Sequence, residues 1–166
     1  MEILTIDPFL KYFSNIRERT LRVARCIPPD QINWSPTPGR FTFADILRHI
    51  AVTERYMFAE NVQNQTSRYT THGPELAATP NEIFALLDRL HAESMQIFAS
   101  LTDADLQRKC TTPGGAPLAT WKWLRSMTEH EIHHRGQLYI YLGILGVPTP
   151  PLYGLTSEQV RARSNA

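Results

Sequence analysis

Only two cysteines occur in the 166 residues, and Cys26 and Cys110 stand far apart with no C-x-x-C pair. That spacing argues against a disulfide framework and against a thiolate zinc site, and reduced thiols are the expectation. No stretch stays apolar for ~18 residues without a charge, so no membrane-spanning helix is expected. Residues 1–8 lack a basic segment leading into an apolar one, so the expectation is a cytoplasmic protein with no secretory leader. Charge of one sign is also missing: 17 Lys and Arg stand against 16 Asp and Glu, a net +1, which supplies no electrostatic reason for a nucleic acid or an anionic membrane as partner. There is no 20–50-residue repeat, no low-complexity tract and no alternation long enough to argue for a sheet. A chain of this length fits one domain, 1–166, able to bury roughly 70% of its unfolded surface.

What is present is helical periodicity. Phe9, Phe13, Ile16, Thr20, Val23 and Ile27 recur at steps of three and four, predicting a helix over 7–27 that Pro28-Pro29 stops. Thr42 caps a second helix over 42–64, with Asp45 three residues on and Phe41 placed to staple onto Ile46. Residues 65–78 are polar, contain Gly73-Pro74 and read as a long connection. Thr79-Pro80-Asn81-Glu82 is a capping box opening a helix over 80–101, whose stripe of Ile83, Leu87, Leu90, Ile97 and Leu101 is interrupted by Ser94. Pro113-Gly114-Gly115 breaks the chain, and a last long helix over 118–145 ends at Gly146 and Pro148. The tail is expected to be irregular with one more short helix. Four amphipathic helices with these connections predict an all-α four-helix bundle.

Histidines occupy places where core leucines are expected. On the last helix Trp123, Met127, His130, His134, Tyr141 and Leu145 share one side. Residues i and i+4 differ by ~40° around a helix, so the two imidazoles can reach one point, ~2.0–2.1 Å from a shared metal. A lone inward histidine is readily explained as a core residue bonded to a carbonyl. Two of them one turn apart need two buried polar partners or cost a few kcal/mol each, and a metal satisfies both. His49, beside Ile46 and Val52 on the second helix, is the candidate third ligand, because bundles build metal sites from facing helices. His133 lies ~60° from His130 and is expected to flank the site. His72, in a loop, and His91, on the outer side of its helix, are expected in solvent.

His130-Glu131-Ile132-His133-His134 also fits H-E-x-x-H, in which a glutamate activates zinc-bound water. The continuation Arg135-Gly136-Gln137 carries no third downstream histidine, Glu158 lies beyond a proline-rich break, and the sheet that such peptidases carry is not predicted. Glu131 is nevertheless a candidate to orient an imidazole or act as a base, against the alternative of an i+4 pair with Arg135. Gln137 is a candidate to hydrogen-bond a substrate, against a helix carbonyl. Asp45 fits a cap better than a partner for His49. Gly136 suggests close helix packing, and Tyr141, Trp121 and Trp123 read as core aromatics.

The segments Phe43-Ala44-Asp45-Ile46-Leu47-Arg48-His49, Glu129-His130-Glu131-Ile132-His133-His134-Arg135-Gly136-Gln137-Leu138 and Gly146-Val147-Pro148-Thr149-Pro150-Pro151-Leu152-Tyr153-Gly154 resemble the DinB/YfiT family, and the likeness spans nearly the whole chain. The resemblance implies a four-helix bundle, often a homodimer, with a divalent metal held by three histidines, here His49, His130 and His134. It further implies transfer of a low-molecular-weight thiol such as bacillithiol or mycothiol to an electrophile, or thiol-dependent isomerisation. Three histidine ligands leave coordination positions open, as in catalytic sites. Such a site also fits metal-hydroxide hydrolysis of a small amide or ester, or a non-catalytic, stress-associated metal-binding role. Imidazole suits zinc, nickel, copper and iron; zinc and nickel lead, with iron and manganese behind them. The apolar strip 148–153 is the expected surface for a homodimer.

Overall fold

The computed structural model describes residues 2–165. Helix α1 (Ile6–Ala24) buries Phe9, Phe13, Ile16, Thr20 and Val23, the stripe expected from the sequence. It stops three residues earlier than 7–27, because Cys26 and Ile27 donate their N–H groups to the carbonyls of Val23 and Ala24 at 3.0 and 3.1 Å. These i→i+3 bonds close a tight turn, and Pro28 disfavours helical backbone at Ile27. One 3₁₀ turn (Pro29–Gln31) follows.

Helix α2 (Phe43–Thr53) starts with the Thr42–Asp45 capping box. The expected 42–64 helix does not run on as one α-helix: Glu54–Phe58 forms a π-helical turn, and α3 (Ala59–Val62) completes it. Asn64, with φ 58°, ends the run. Helix α4 (Pro80–Ala99) opens on the Thr79–Glu82 capping box. A short helix α5 (Asp103–Gln107) leads into an antiparallel hairpin of β1 (Lys109–Thr111) and β2 (Pro117–Ala119), with Cys110 opposite Leu118. Three residues per strand are too few for alternation to announce them, so neither strand was expected.

Helix α6 (Thr120–Ile144) is the longest element. It closes with the Val147 N–H on the Leu142 carbonyl at 2.9 Å and the Gly146 N–H on the Gly143 carbonyl at 3.1 Å, while Gly146 has φ 68°. This is the glycine-terminated stop that the sequence predicts. Helix α7 (Ser157–Ser164) buries nothing.

Helix α1 packs on α4 and α6, and α2 packs on the same two. The first two bundle helices therefore stand at opposite corners, which requires the long 25–42 connection. The interior is filled by two apolar clusters. One, around Ile46, Leu47, Ile50, Ile83 and Leu138, joins α2, α4 and α6; the other stacks Phe9, Phe13, Phe98 and Leu124 between α1, α4 and α6. The 148–153 strip is largely engaged by the bundle: the Pro151 carbonyl accepts from Arg22, the Pro150 carbonyl accepts from Tyr139, and Leu152 packs on the core. Tyr153 alone of the strip's large apolar residues is exposed, at 75%. Gly136 does not mark close packing, because a Cβ built there meets nothing within 4 Å.

Candidate metal centre

His49 projects from α2 and His130 and His134 from α6, two helices that pack directly. Their Nε2 atoms converge: His130 lies 3.0 Å from His49 and 3.1 Å from His134. One nitrogen from each of the three lies within 4.8 Å of the others. Donors held ~2.0–2.1 Å from one tetrahedral ion stand about 3.3 Å apart, a spacing that the two separations from His130 approach. Two of the outer nitrogens are already tied. The Nδ1 of His134 lies 2.7 Å from Gln137 Oε1; an amide oxygen only accepts, so Nδ1 carries the proton and Nε2 presents its lone pair to the centre. The Nδ1 of His49 has the Tyr69 hydroxyl at 3.2 Å and the Thr53 hydroxyl at 3.3 Å.

Electrostatics favour the ligand form. Burial, then the neighbouring His134 and His72, lowers the His49 pKa to about 4. Burial, then His134, His49 and His133, lowers that of His130 to about 3. His134 is lowered as well, again by burial first, against the bond to Gln137. All three imidazoles are therefore neutral at pH 7, the state in which they coordinate. Phe58, tilted against Trp123 at 4.4 Å between ring centroids, stands 5.9 Å from His130 and forms an apolar wall.

The other sequence candidates scatter. Glu131 pairs neither with His49, His130 or His134 nor with Arg135. Its Oε2 accepts from Arg17 Nη2 at 2.9 Å, in a cluster where Arg17 also bonds Glu54, and His91 Nδ1 lies 2.9 Å from Glu54 Oε1. One residue from each of α1, the π turn, α4 and α6 meets there, with Arg17, Glu54 and Glu131 buried to 3% exposure or less. His91, expected in solvent, is thus drawn inward by Glu54. Gln137 bonds His134 rather than a helix carbonyl. Asp45 accepts from the Thr42 N–H at 2.9 Å and from Arg48 at 2.6 Å, the capping role, and not from His49. His133 is exposed, with its ring against His134 at 5.1 Å. His72 does not lie free in solvent: its ring packs on Phe41 at 4.5 Å, and its Nδ1 is 2.9 Å from the Tyr69 hydroxyl. Tyr69 and Thr53 are contacts of the centre that sequence reasoning missed. Thr53 sits one turn after His49, a spacing open to inspection, whereas Tyr69 lies in a connection with no periodicity to read.

Known proteins share this arrangement of helices. YjoA of Bacillus subtilis strain 168, an uncharacterized protein, is 24% identical over 149 residues, covering 89% of this chain and 95% of that protein. Its crystal structure superposes with a TM-score of 0.71, covering 88% and 97% of the two chains at 22% identity. YfiT from B. subtilis, described as a probable metal-dependent hydrolase with an unusual four-helix bundle topology, matches with a TM-score of 0.69 over 86% of this chain and 89% of its own, at 16% identity. The mycothiol-dependent maleylpyruvate isomerase matches with a TM-score of 0.59 over 79% of this chain and 60% of its own, also at 16% identity. At these identities each structural likeness speaks for the fold. The model of the DinB superfamily matches residues 12–138, most of the bundle and all three histidines, and the chain belongs to that superfamily.

Proposed function

We propose that this protein is a metal-dependent enzyme in which His49, His130 and His134 hold a divalent ion, zinc or nickel first among the candidates, and a small thiol is activated there for attack on an electrophile. The observation that carries the reading is the convergence of three Nε2 atoms, 3.0 and 3.1 Å apart along the set, with the far side of His134 fixed by Gln137. When bound, the ion supplies a double positive charge that acidifies a thiol or a water near neutral pH. The chain's own residues do the rest. Three neutral ligands leave that charge uncompensated, and Gln137 holds the imidazole of His134 in one tautomer. Phe58 and Trp123 keep one flank apolar, which strengthens the field at the reacting group.

Likeness to a mycothiol-dependent isomerase supports the thiol as nucleophile. Likeness to YfiT supports a second reading, hydrolysis of a small amide or ester with water as nucleophile. Zinc- or nickel-loaded protein incubated with a low-molecular-weight thiol and an epoxide separates them. Thioether formation well above that of His134→Ala is the expected result, and equal rates overturn the proposal. Ester or amide cleavage without added thiol establishes the second reading. We further propose a homodimer, which the family resemblance implies, and a cytoplasmic location, the expectation drawn from the sequence. Among the described residues no helix is long and apolar enough to cross a membrane.

A further inference from the structure

The connection between α3 and α4 has no regular secondary structure over residues 65–78, yet it is fastened onto α2 and the π turn. The Arg68 N–H and the Ser67 hydroxyl donate to the Tyr56 carbonyl at 2.7 and 3.0 Å. Buried Arg48 donates to the carbonyls of His72 and Ala77 at 2.7 and 2.9 Å. Between these anchors Tyr69, half-buried, brings its hydroxyl to 3.2 Å from His49 Nδ1 and 2.9 Å from His72 Nδ1. Each group in this chain has one mobile proton, so only two polarities satisfy both bonds. In one, His72 donates to Tyr69 and Tyr69 donates to His49, which leaves the His49 proton on Nε2. In the other, His49 Nδ1–H donates to Tyr69 and Tyr69 donates to His72. Only the second leaves the His49 Nε2 lone pair free for a cation.

We infer that Tyr69 is a positioning residue of the metal centre: its hydroxyl accepts the Nδ1–H of His49 and donates to Nδ1 of His72, so that metal binding and closure of the 65–78 connection onto α2 reinforce each other. The inference rests on the reading of the three histidines as a metal site. Coupling of this kind is reciprocal. The factor by which the Tyr69 bond tightens the metal is the factor by which the metal favours the fastened connection. Thr53 lies 3.3 Å from the same Nδ1 and shares that proton less closely. His72 is locked for its part by Phe41, whose ring centroid is 4.5 Å away, and by Arg48 on its carbonyl.

The test is the zinc dissociation constant of the full chain, by chelator competition, for wild type, Tyr69→Phe, His72→Phe and His134→Ala, with amide hydrogen exchange over residues 67–73 in the presence and absence of zinc. Tyr69→Phe keeps the ring that packs edge-on against His49 and removes only the hydroxyl, and it is expected to bind zinc about 10–100-fold more weakly. Its metal-free melting temperature should stay near that of wild type. His72→Phe keeps the packing on Phe41, removes the final acceptor and should show a smaller loss, so the inference stays testable if either variant folds poorly. Zinc should slow exchange of the 67–73 amides in wild type and fail to do so in Tyr69→Phe. Zinc affinity and zinc-induced protection unchanged in Tyr69→Phe, with affinity lost in His134→Ala, overturn the positioning role alone. A wild-type protein that takes up neither zinc nor nickel overturns the metal site and the inference together.

Discussion

Gln137 is one turn beyond His134 on α6, and its amide oxygen accepts the hydrogen bond from the His134 Nδ1–H at 2.7 Å. Removing such a partner frees the ring to turn and to change tautomer. Gln137→Ala should therefore weaken metal binding about 10–100-fold while leaving the bundle intact by circular dichroism. Glu131 behaves in the opposite way. It stands next to His130 in the chain, yet the cross-bundle guanidinium of Arg17 claims it, and Arg17 also holds Glu54. Taking away this guanidinium leaves two buried carboxylates together, so Arg17→Met should cost about 3–5 kcal/mol in urea unfolding. A Glu131→Gln variant that binds metal like wild type would agree with a structural role for this carboxylate. Helix angles alone could place His130 and His134 together and could set His133 aside. They could not say that Glu131, 100° round the helix from His130, would meet Arg17 rather than Arg135, because that depends on what α1 presents from 114 residues away.

Helix beginnings were legible as short motifs. Thr42 with Asp45 and Thr79 with Glu82 cap their helices reciprocally, each by bonds spanning three residues. Thr42→Ala should cost about 1 kcal/mol. Burial raises the Asp45 carboxyl, but bonds from the Thr42 amide and hydroxyl and from Arg48 outweigh it and hold its pKa below the ordinary 3.8. A carboxyl lowered in the folded state stabilises fully above its unfolded pKa and loses that contribution as pH falls through the folded value. The stability difference between wild type and Asp45→Asn should accordingly be constant near neutrality and shrink below about pH 3.8, a trend that urea unfolding across pH reads directly. The π turn was not legible. No local motif announces it, and the contacts of Glu54 with Arg17 and His91 exist only once α1 and α4 are packed around it.

For the molecule as a whole, a ligand that binds only the folded state stabilises it by mass action. At a hundredfold excess over its dissociation constant a divalent ion should add about 2.7 kcal/mol, which raises the melting temperature of a chain this size by about 5–10 °C. Calorimetry with and without zinc should show that rise in wild type and not in His134→Ala. The sequence by itself determined the four long helices, most of their ends and the shared face of His130 and His134, because periodicity, caps and proline stops act between residues a few positions apart. The tertiary structure alone decided that His49 comes within 3.0 Å of His130 across 81 positions, that His91 joins Glu54, and that a polar connection brings Tyr69 to His49. Those contacts depend on which faces meet when the bundle closes, and that is settled by packing and by the pairing of buried charge rather than by any local pattern.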